Sequence, residues 1–599
     1  MESVPITESI IREESNLQKA YYKACRDEEE YWRQKSRSLW LASSDKNTSF
    51  FHKQAEARKN FNSVKEITHH HKLIKDAEGI KKAAFSHFQD LYNAPAADLI
   101  DPNAYPISLV PALVQASVNN TLATPVTMKE LKTTLDHMKP DSAPRPDGFT
   151  ARFISSCWDI IKYDLLKMVR NSQIHHKLGG STNSSFLALI PKEIGASNFS
   201  RFRPISLCNT GYKLVTKIIA NRIKKILPKI IPENQGGFIK GRKILDNVIL
   251  VQEAIHSSFL RKEKGMVVKL DLANAFDRVN HEFLFAVMEK FGFSTELIGW
   301  IKGCICSPWI APLVNGRPTN FFQASRGLRQ GCPLSPLLYA IQASVFSYQL
   351  NNCQQDLSLP GLRMAHNVKE INHAQFADDT LLLGGAGVQS AKNFKKELDI
   401  YLQISGSKIN LQKSKIYCWN SSVDDIGRTS RILEMESYQN WDSFTYLGVP
   451  IFKSAIKTKN WNPIVEKLKA KIQKWGARWL TLAGKLVLLK SVLSNIPIYH
   501  SSILLVPSSV ISKIETLFKN FLWEGGKGNL KKPHLVSWGK VQKTYREGGL
   551  QVRSIHAQNL AMGTKILWLE KYFFHRTFLL QLVFPDTICQ RSLVPIAKF

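Results

Sequence analysis

Two apolar segments that end in aspartates constrain the fold of this chain most. The run Gly265-Met-Val-Val-Lys-Leu-Asp271 is typical of a short β-strand with a carboxylate at its end. Residues Ala374 to Leu383 have two apolar arms around Asp378 and Asp379, a pattern that predicts a β-hairpin with an acidic tip. Acidic turns are common, so each segment alone also fits an ordinary turn. Together they predict a fold that can gather three carboxylates.

The charge of the whole chain favours a functional interpretation of these acids. Its 599 residues include 81 lysines and arginines against 49 acids, a formal net charge of +32. Such an excess is typical of proteins that bind nucleic acid. Adjacent Asp378 and Asp379 repel each other unless a cation lies between them or one is protonated. A pair of Mg²⁺ ions held with Asp271 resolves this, because Mg²⁺ prefers oxygen ligands and two metals assist in-line phosphoryl displacement.

The composition excludes several other classes of protein. With 44% hydrophobic residues the chain can bury several domain-sized cores. Its nine cysteines include no Cys-x-x-Cys pair, so neither a disulfide framework nor a four-cysteine zinc site is indicated. No secretory or organellar signal is recognised, and charges interrupt every apolar run before the ~18 residues of a membrane helix. We therefore expect no membrane partner and a location in the nucleus, the cytoplasm or both.

The first part of the chain reads as a helical, basic extension. From Glu8 to about residue 59 the pattern indicates basic amphipathic helices, whose polar face is either simply solvated or in contact with nucleic acid. Consecutive His69, His70 and His71 diverge in direction and cannot easily converge on one metal, so we expect them at the surface. The segment from Asp76 to Gly79 predicts a turn before a helix that ends at Tyr92.

The remaining segments alternate irregularly and predict a mixed α+β chain. Thr127 can cap a helix that runs to Met138. Strands are expected at residues 186–190 and 202–207, followed by a helix from Tyr212 to Leu227. Residues 453–599 are expected to be mainly helical.

Several ordered blocks resemble the reverse transcriptase of non-LTR retrotransposons, the long interspersed elements, and most closely their plant members. The acidic segments belong to Lys269-Leu-Asp-Leu-Ala-Asn-Ala-Phe-Asp277 and Phe376-Ala-Asp-Asp379, with Arg326-Gly-Leu-Arg-Gln-Gly-Cys-Pro-Leu-Ser-Pro336 between them. The other blocks are Trp40 to His52, Pro140 to Phe149, Leu187 to Lys192, Arg203 to Leu207, Asn234 to Arg242, Ser405 to Ser414 and Tyr446 to Pro450.

The resemblance implies a right-handed polymerase fold of fingers, palm and thumb. Its expected boundaries are 1–125 for the helical basic extension, 126–250 for the fingers, 251–452 for the palm and 453–599 for the thumb and helical C-terminal region. The reverse transcriptase domain as a whole then covers about 183–452.

The resemblance also implies roles for the acids. Asp271 and Asp378 are expected to hold two Mg²⁺ ions, for which Mn²⁺ can substitute. Asp379 completes the cluster, and the carbonyl of Leu272 helps to hold the metal on the nucleotide side.

Further residues are expected to bind the incoming nucleotide. Phe276 matches the position of a ring that excludes a 2′-hydroxyl, although it also fits a first core residue of the following helix. Lys192 and Arg203 match positions that grip the triphosphate, although both also fit solvated surface charges. Gln330 and Gly331 match positions beside the nucleotide and template, where glycine permits close backbone approach.

The resemblance implies a primer-binding hairpin and a set of partners. Tyr446, Leu447 and Gly448 match the primer grip, and a helix containing Ile464 to Trp479 fits a thumb helix with a basic face. The expected partners are an RNA template, a DNA primer, their RNA–DNA hybrid and deoxynucleoside triphosphates.

Departures from the family pattern leave alternatives open. In the block from Pro140 to Phe149, Arg145 occupies a position where the family usually has glycine. Gly236 and Ser407 also differ from the residues expected at their positions. We expect no endonuclease ahead of the polymerase, because the residues before the fingers form only a charged helical segment. The alternatives are a catalytically silent nucleic-acid-binding remnant and an intron-maturase-like splicing factor.

Overall fold

The computed structural model describes residues 8–36, 48–93, 101, 103–140, 146–364, 370–454, 457–474, 481–523 and 536–573. Helices and sheets are mixed throughout, which confirms the α+β prediction. Trp40, Arg145, Trp475 and Trp479 lie outside the described residues, so the predictions that concern them have no structural counterpart.

The strands form two larger sheets and two separate hairpins. In chain order they are β1 (Ile67–His69), β2 (Lys72–Ile74), β3 (Ser184–Pro191), β4 (Phe202–Cys208), β5 (Gly265–Leu270), β6 (Trp309–Val314), β7 (Arg317–Pro318), β8 (Phe322–Gln323), β9 (His373–Phe376), β10 (Asp379–Gly384), β11 (Lys415–Trp419), β12 (Glu436–Tyr438), β13 (Ser443–Tyr446) and β14 (Val449–Phe452).

Helices cover both larger sheets and form most of the rest of the described chain. They are α1 (Glu8–Ser36), α2 (Thr48–Asn62), α3 (Ala77–Tyr92), α4 (Ala116–Ala123), α5 (Met128–Asp136), α6 (Ala151–Ser156), α7 (Trp158–His175), α8 (Thr210–Ile223), α9 (Leu227–Ile230), α10 (Ile244–Leu260), α11 (His281–Phe291), α12 (Thr295–Ile305), α13 (Ser335–Gln355), α14 (Val388–Ser405), α15 (Val423–Leu433), α16 (Asn462–Lys474), α17 (Leu482–Leu488), α18 (Asn495–Ser501), α19 (Ser508–Trp523), α20 (Trp538–Gln542) and α21 (Ile555–Phe573).

The central sheet has the strand order β12-β11-β5-β10-β9. Its middle strand, β5, is buried along nearly its whole length, as expected for a short, continuously apolar strand. β10 pairs with β5 in antiparallel register, with Thr380 opposite Leu270. This register brings the end of β5 next to the beginning of β10, where the predicted acids lie.

The second sheet has the order β4-β3-β6-β7, and β8 pairs with β6. β3 and β4 are antiparallel, with Ile190 opposite Arg203, so the predicted strands at 186–190 and 202–207 are confirmed. α8 begins at Thr210, and its apolar face is buried in the core that it shares with the central sheet. The predicted cap at Thr127 is confirmed, since its side chain accepts a hydrogen bond from Glu130 N.

The N-terminal extension differs from its prediction at one turn. His70 and His71 form the turn between β1 and β2, both with positive φ and exposed, as the surface prediction required, whereas His69 in β1 is half-buried beside His87 and Phe199. The predicted turn after Asp76 is wrong. Asp76 instead caps α3 by accepting a hydrogen bond from Gly79 N, because buried Ile80 and its neighbours hold the helix from its first turn.

The described part of the C-terminal region is helical after β14, as predicted. Its helices share an apolar core with β13, β14 and α10. The segment Leu482–Ser501 has the length and composition of a membrane-spanning helix, although Lys485 and Lys490 interrupt its apolar residues. Leu488, Leu489 and Leu493 of this segment are buried in the core, as in the helix of a folded domain.

Candidate active site

The three predicted acids lie at one end of the central sheet. Asp271 directly follows β5, and Asp379 is the first residue of the neighbouring β10. Ala377 and Asp378 form the two-residue turn of the β9–β10 hairpin, because Asp379 pairs with Phe376. The pairing of β5 with β10 thus brings together acids that lie more than 100 residues apart in the sequence.

The acids oppose each other's ionisation. Burial raises the pKa of Asp378, and the charge of Asp271 adds to the rise. Burial raises the pKa of Asp379 as well, followed by the charge of Asp378, whereas the ammonium of Lys269 lowers it. Asp271 is more accessible, with 35% of its side chain exposed. This end of the sheet therefore favours a bound cation.

The carboxylates and one backbone carbonyl offer oxygen atoms of the kind that bind metal ions. Backbone hydrogen bonds join residues 271 and 273 to residues 410 and 408, so the amide and carbonyl of Leu272 point away from that segment. Within the described residues, no three His, Cys, Asp or Glu side chains are close enough to hold a metal as placed. The donor types fit Mg²⁺.

The turn before Asp378 is held by a residue that sequence reasoning did not assign. Gln235 is fully buried, and its Oε1 accepts hydrogen bonds of 2.8 Å from Gly237 N and Ala377 N. Its Nε2 donates to Ala377 O at 3.3 Å. Ala377 has a φ of +57°, which is unfavourable for alanine, so the hydrogen bonds with Gln235 offset a local backbone strain. Membership in the block Asn234 to Arg242 was the only signal.

Basic residues lie near Asp271. Lys192 follows β3, beside Arg203 of β4. Partial burial lowers the pKa of Lys192, and the charges of Lys413 and Arg203 lower it further, whereas Asp277 and Asp271 oppose this. The Nζ of Lys413 lies 3.9 Å from Asp271 Oδ2, a neighbour that the sequence did not predict. Lys192 thus lies near Asp271, and Arg203 lies beside Lys192.

Gln330 and Gly331 lie beside β4. Gln330 O accepts a hydrogen bond of 2.7 Å from Ser206 N. Gly331 has a φ of +113°, and a Cβ there would lie 2.9 Å from Ser206 O. Both the backbone conformation and the close approach therefore require glycine.

Phe276 lies in the turn between β5 and α11, not in the helix itself. Its ring stacks on Tyr339 at a centroid distance of 4.7 Å and meets Phe238 edge-on at 6.4 Å. The charges of Asp378 and Asp379 help to raise the pKa of Tyr339, behind the burial of its ring, so the stacked pair adjoins the acids. Phe276 is only partly buried, which leaves part of its ring accessible beside the core.

The predicted primer-grip residues form a tight hairpin. Tyr446 pairs with Val449, and the two turn residues Leu447 and Gly448 have φ values of +48° and +78°. Two positive φ values are typical of a hairpin turn of type I′. The hydroxyl of Tyr499 donates to Leu447 O at 2.7 Å and fastens this turn to the C-terminal helices.

One lysine joins this hairpin to the acids. Lys269 of β5 donates a hydrogen bond of 2.8 Å to Thr445 O in β13, and its charge lowers the pKa of Asp379. Tyr446 lies close enough for the charge of Asp379 to contribute to the raised pKa of its phenol, behind burial. The structure thus brings Tyr446 and its hairpin close to Asp379.

Comparison with known proteins gives one family match. Residues 190–451 match the family model of the reverse transcriptase, an RNA-dependent DNA polymerase. The matched range contains all the predicted site residues described above.

Three relatives illustrate the similarity. The 149 kDa protein of transposon TX1 from Xenopus laevis is 28% identical over 535 residues, which are 88% of this chain and 39% of that protein. The Pol polyprotein of the type-1 retrotransposable element R2 from Popillia japonica is 27% identical over 335 residues, 54% of this chain and 44% of the polyprotein. A mitochondrial protein of Arabidopsis thaliana is 42% identical over 76 residues, 13% of this chain and 62% of that protein. The chain thus spans about two fifths of the length of the first two relatives.

Proposed function

We propose, on the premise that residues 190–451 are a reverse transcriptase domain of a non-LTR retrotransposon, that this chain is an RNA-directed DNA polymerase that extends a primer 3′-hydroxyl on an RNA template. The observation that carries the proposal is the position of Asp271, Asp378 and Asp379 at one end of one sheet, with basic residues beside them. Its substrates are deoxynucleoside triphosphates, and its ligand is an RNA–DNA hybrid.

The proposed architecture is a right hand. The central sheet with the acids corresponds to the palm, the β3–β4 sheet and its helices to the fingers, and the helices after β14 to the thumb. The boundaries expected from the sequence, 1–125, 126–250, 251–452 and 453–599, belong to this proposal. The similarity to an Arabidopsis thaliana protein supports a plant-type element, and the nucleus, the cytoplasm or both are the proposed location.

The acids are proposed to hold two Mg²⁺ ions. Asp271 and Asp378 are the shared ligands, Asp379 completes the cluster, and the carbonyl of Leu272 contributes on the nucleotide side. When bound, the ions make the 3′-hydroxyl a stronger nucleophile and neutralise charge on the leaving pyrophosphate. The raised pKa values of Asp378 and Asp379 support this, since burial and the neighbouring carboxylates disfavour both charges and the ammonium of Lys269 offsets only part of this at Asp379.

The remaining site residues are proposed to position the two substrates. Lys192 and Arg203 bind the triphosphate, while Gln330 and Gly331 line the place of the nucleotide and template. Phe276 excludes a ribose 2′-hydroxyl by steric contact, and its stacking on Tyr339 supports this because a fixed ring makes a better barrier. Tyr446, Leu447 and Gly448 hold the primer end, with Lys269 fixing their distance from the acids.

Primer extension tests the proposal. Purified protein with Mg²⁺, deoxynucleotides and a DNA primer annealed to RNA should elongate the primer. Asp378→Asn should lower the rate by at least ~10²-fold, the loss typical of removing an electrostatic group that stabilises the transition state. Asp424→Asn, an exposed residue in the first turn of α15, is the matched control and should leave the rate unchanged.

Two results would contradict the proposal. Binding of the hybrid without any elongation would support the catalytically silent remnant. Elongation that survives Asp378→Asn would show that the activity arises elsewhere.

A further inference from the structure

A buried carboxylate that carries no role in the chemistry proposed above connects the N-terminal extension with the nucleotide side of the site. Asp277 is only 1% exposed. Its Oδ1 accepts a hydrogen bond of 2.6 Å from the hydroxyl of Tyr92, the last residue of α3. Gln330 Nε2 donates to both carboxylate oxygens, at 3.3 Å to Oδ1 and 3.1 Å to Oδ2. One carboxylate thus joins residues that are far apart in the sequence.

This arrangement is costly for the fold. Burial raises the pKa of Asp277 to about 7, against the hydrogen bonds from Tyr92 and Gln330 and the charges of Lys192 and Arg278. A buried carboxylate destabilises a protein unless its oxygens are satisfied. Perturbed groups of this kind cluster at functional sites.

Gln330 is fixed at both ends by these contacts. Its carbonyl accepts from Ser206 N at 2.7 Å, and its side chain donates to Asp277. A glutamine side chain has several rotatable bonds, so an anchored amide loses less freedom when a ligand binds beside it. The following residue is Gly331, whose close approach to Ser206 fixes the same loop.

The segment before Gln330 is held by Tyr92 and by Phe276, the residue before Asp277. The carbonyl of Tyr92 accepts hydrogen bonds of 3.0 Å from Ser325 N and 3.2 Å from Arg326 N. Leu328 N donates to Phe276 O at 2.7 Å. The end of α3, the turn that contains Phe276 and Asp277, and the loop from Ser325 to Gln330 therefore form one hydrogen-bonded unit.

We propose that Asp277 is a positioning residue that orients Gln330 for the incoming nucleotide, and that Tyr92 holds Asp277 for this task. The inference rests on the proposed polymerase function and deepens it. It assigns to the N-terminal extension, which lies outside the matched range 190–451, a part in nucleotide binding. Because Asp277 acts through Gln330, its loss should affect nucleotide binding more than the chemical step.

Steady-state kinetics of single-nucleotide addition test this. Tyr92→Phe removes one hydrogen bond and should raise the KM for the deoxynucleotide by roughly 3–10-fold, with kcat nearly unchanged. Asp277→Ala should raise the KM by roughly 10–100-fold, because the hydrogen bonds from both Tyr92 and Gln330 are lost. The double variant should be no worse than Asp277→Ala, since the two residues act through one contact. Tyr105→Phe, which removes another tyrosine–carboxylate hydrogen bond, to Glu397, is the matched control and should leave both constants unchanged.

A binding measurement decides the inference without turnover. In a complex with a primer that ends in a dideoxynucleotide, the dissociation constant of the next deoxynucleotide should rise as KM does. If Asp277→Ala does not fold, Tyr92→Phe and the isosteric Asp277→Asn carry the test.

The outcomes separate two failures. An inactive wild-type chain counts against the proposed function, and the dissociation constant still decides the role of Asp277. An active wild-type chain whose variants keep the parental KM and dissociation constant overturns this inference. So does a fall in kcat alone, which indicates a merely structural role.

Discussion

Gly237→Ala is expected to displace the β9–β10 turn, which contains Ala377 and Asp378. An ideal Cβ on Gly237 would lie 2.3 Å from Ala377 N and 3.0 Å from both Ala377 Cα and Gln235 Oε1. Ala377 directly precedes Asp378, and its amide hydrogen bonds to Gln235. The added methyl group therefore pushes on the backbone of the turn that carries the acid.

The size of the effect follows from the distances. Ordinary contact for a Cβ begins at 3.4 Å, so Ala377 must move by about 1 Å, and a backbone atom cannot rotate away. Overpacking of this kind costs about 1–3 kcal/mol of stability. A displacement of ~1 Å at a reacting group can cost roughly 10²-fold in rate. We thus expect a large loss of activity beside a moderate loss of stability.

The assay combines denaturant unfolding with the rate of primer extension at saturating nucleotide. Gly427→Ala is the matched control, because a Cβ at this position in α15 meets nothing within 4 Å. It should raise the free energy of unfolding by about 0.5–1 kcal/mol and leave the rate unchanged. A Gly237→Ala protein with the parental rate and stability would refute the claim that the close approach of Gly237 to Ala377 fixes the position of the β9–β10 turn.

Three further predictions follow from single contacts. Phe276→Val should raise ribonucleotide incorporation by roughly 10–200-fold, the range for a change in fit within a substrate pocket, as measured by single-nucleotide addition; unchanged discrimination would place the barrier elsewhere. Arg222→Met should lower the free energy of unfolding by about 3–5 kcal/mol. The buried guanidinium of Arg222 forms two hydrogen bonds of 2.9 and 2.7 Å to Glu130, and the substitution leaves this carboxylate unpaired. A loss below ~1 kcal/mol in a denaturant titration would contradict this prediction. The folded-state pKa of Asp277 is about 7 against a usual 3.8, so the folded chain holds this proton more tightly than the unfolded chain does. The free energy of unfolding should therefore fall as pH rises from 4 through 7, by at most about 4 kcal/mol. Asp277→Asn should remove that part of the dependence of stability on pH, and parallel stability profiles for the variant and the parent would disprove the pKa shift.

The elements around the acids could be predicted because their signals are local. β5 is a continuous apolar run, and the β9–β10 hairpin has apolar arms around its turn. The hairpin at Leu447 and Gly448 is marked by a glycine, which adopts positive φ at little cost.

The helix start at Asp76 shows where local patterns are ambiguous. An aspartate three residues before a glycine fits both a turn and a helix cap. The structure selects the cap because Ile80, Ala83, Ala84 and Phe88 bury one face of α3. That choice depends on packing against distant strands, which a window of a few residues does not contain.

The residues that hold the site could not be predicted for a related reason. Gln235 contacts Ala377 across 142 residues, and Tyr92 contacts Asp277 across 185 residues. A polar residue within an apolar block has no local signal that names its partner. Sequence patterns therefore indicate the residues that carry the chemistry better than those that position them.

The charges at the site bear on the form in which the proposed nucleotide substrate would bind. Asp378 and Asp379 have raised pKa values, in part because neighbouring carboxylates repel them. Lys192 has a lowered pKa, in part because Lys413 and Arg203 repel it. A divalent cation reduces only the repulsion among the acids, and a free triphosphate reduces only the repulsion among the bases. A magnesium-bound triphosphate reduces both kinds of repulsion, so Mg²⁺ and the triphosphate should each strengthen the binding of the other. The site should therefore bind the magnesium–triphosphate complex more tightly than either part alone.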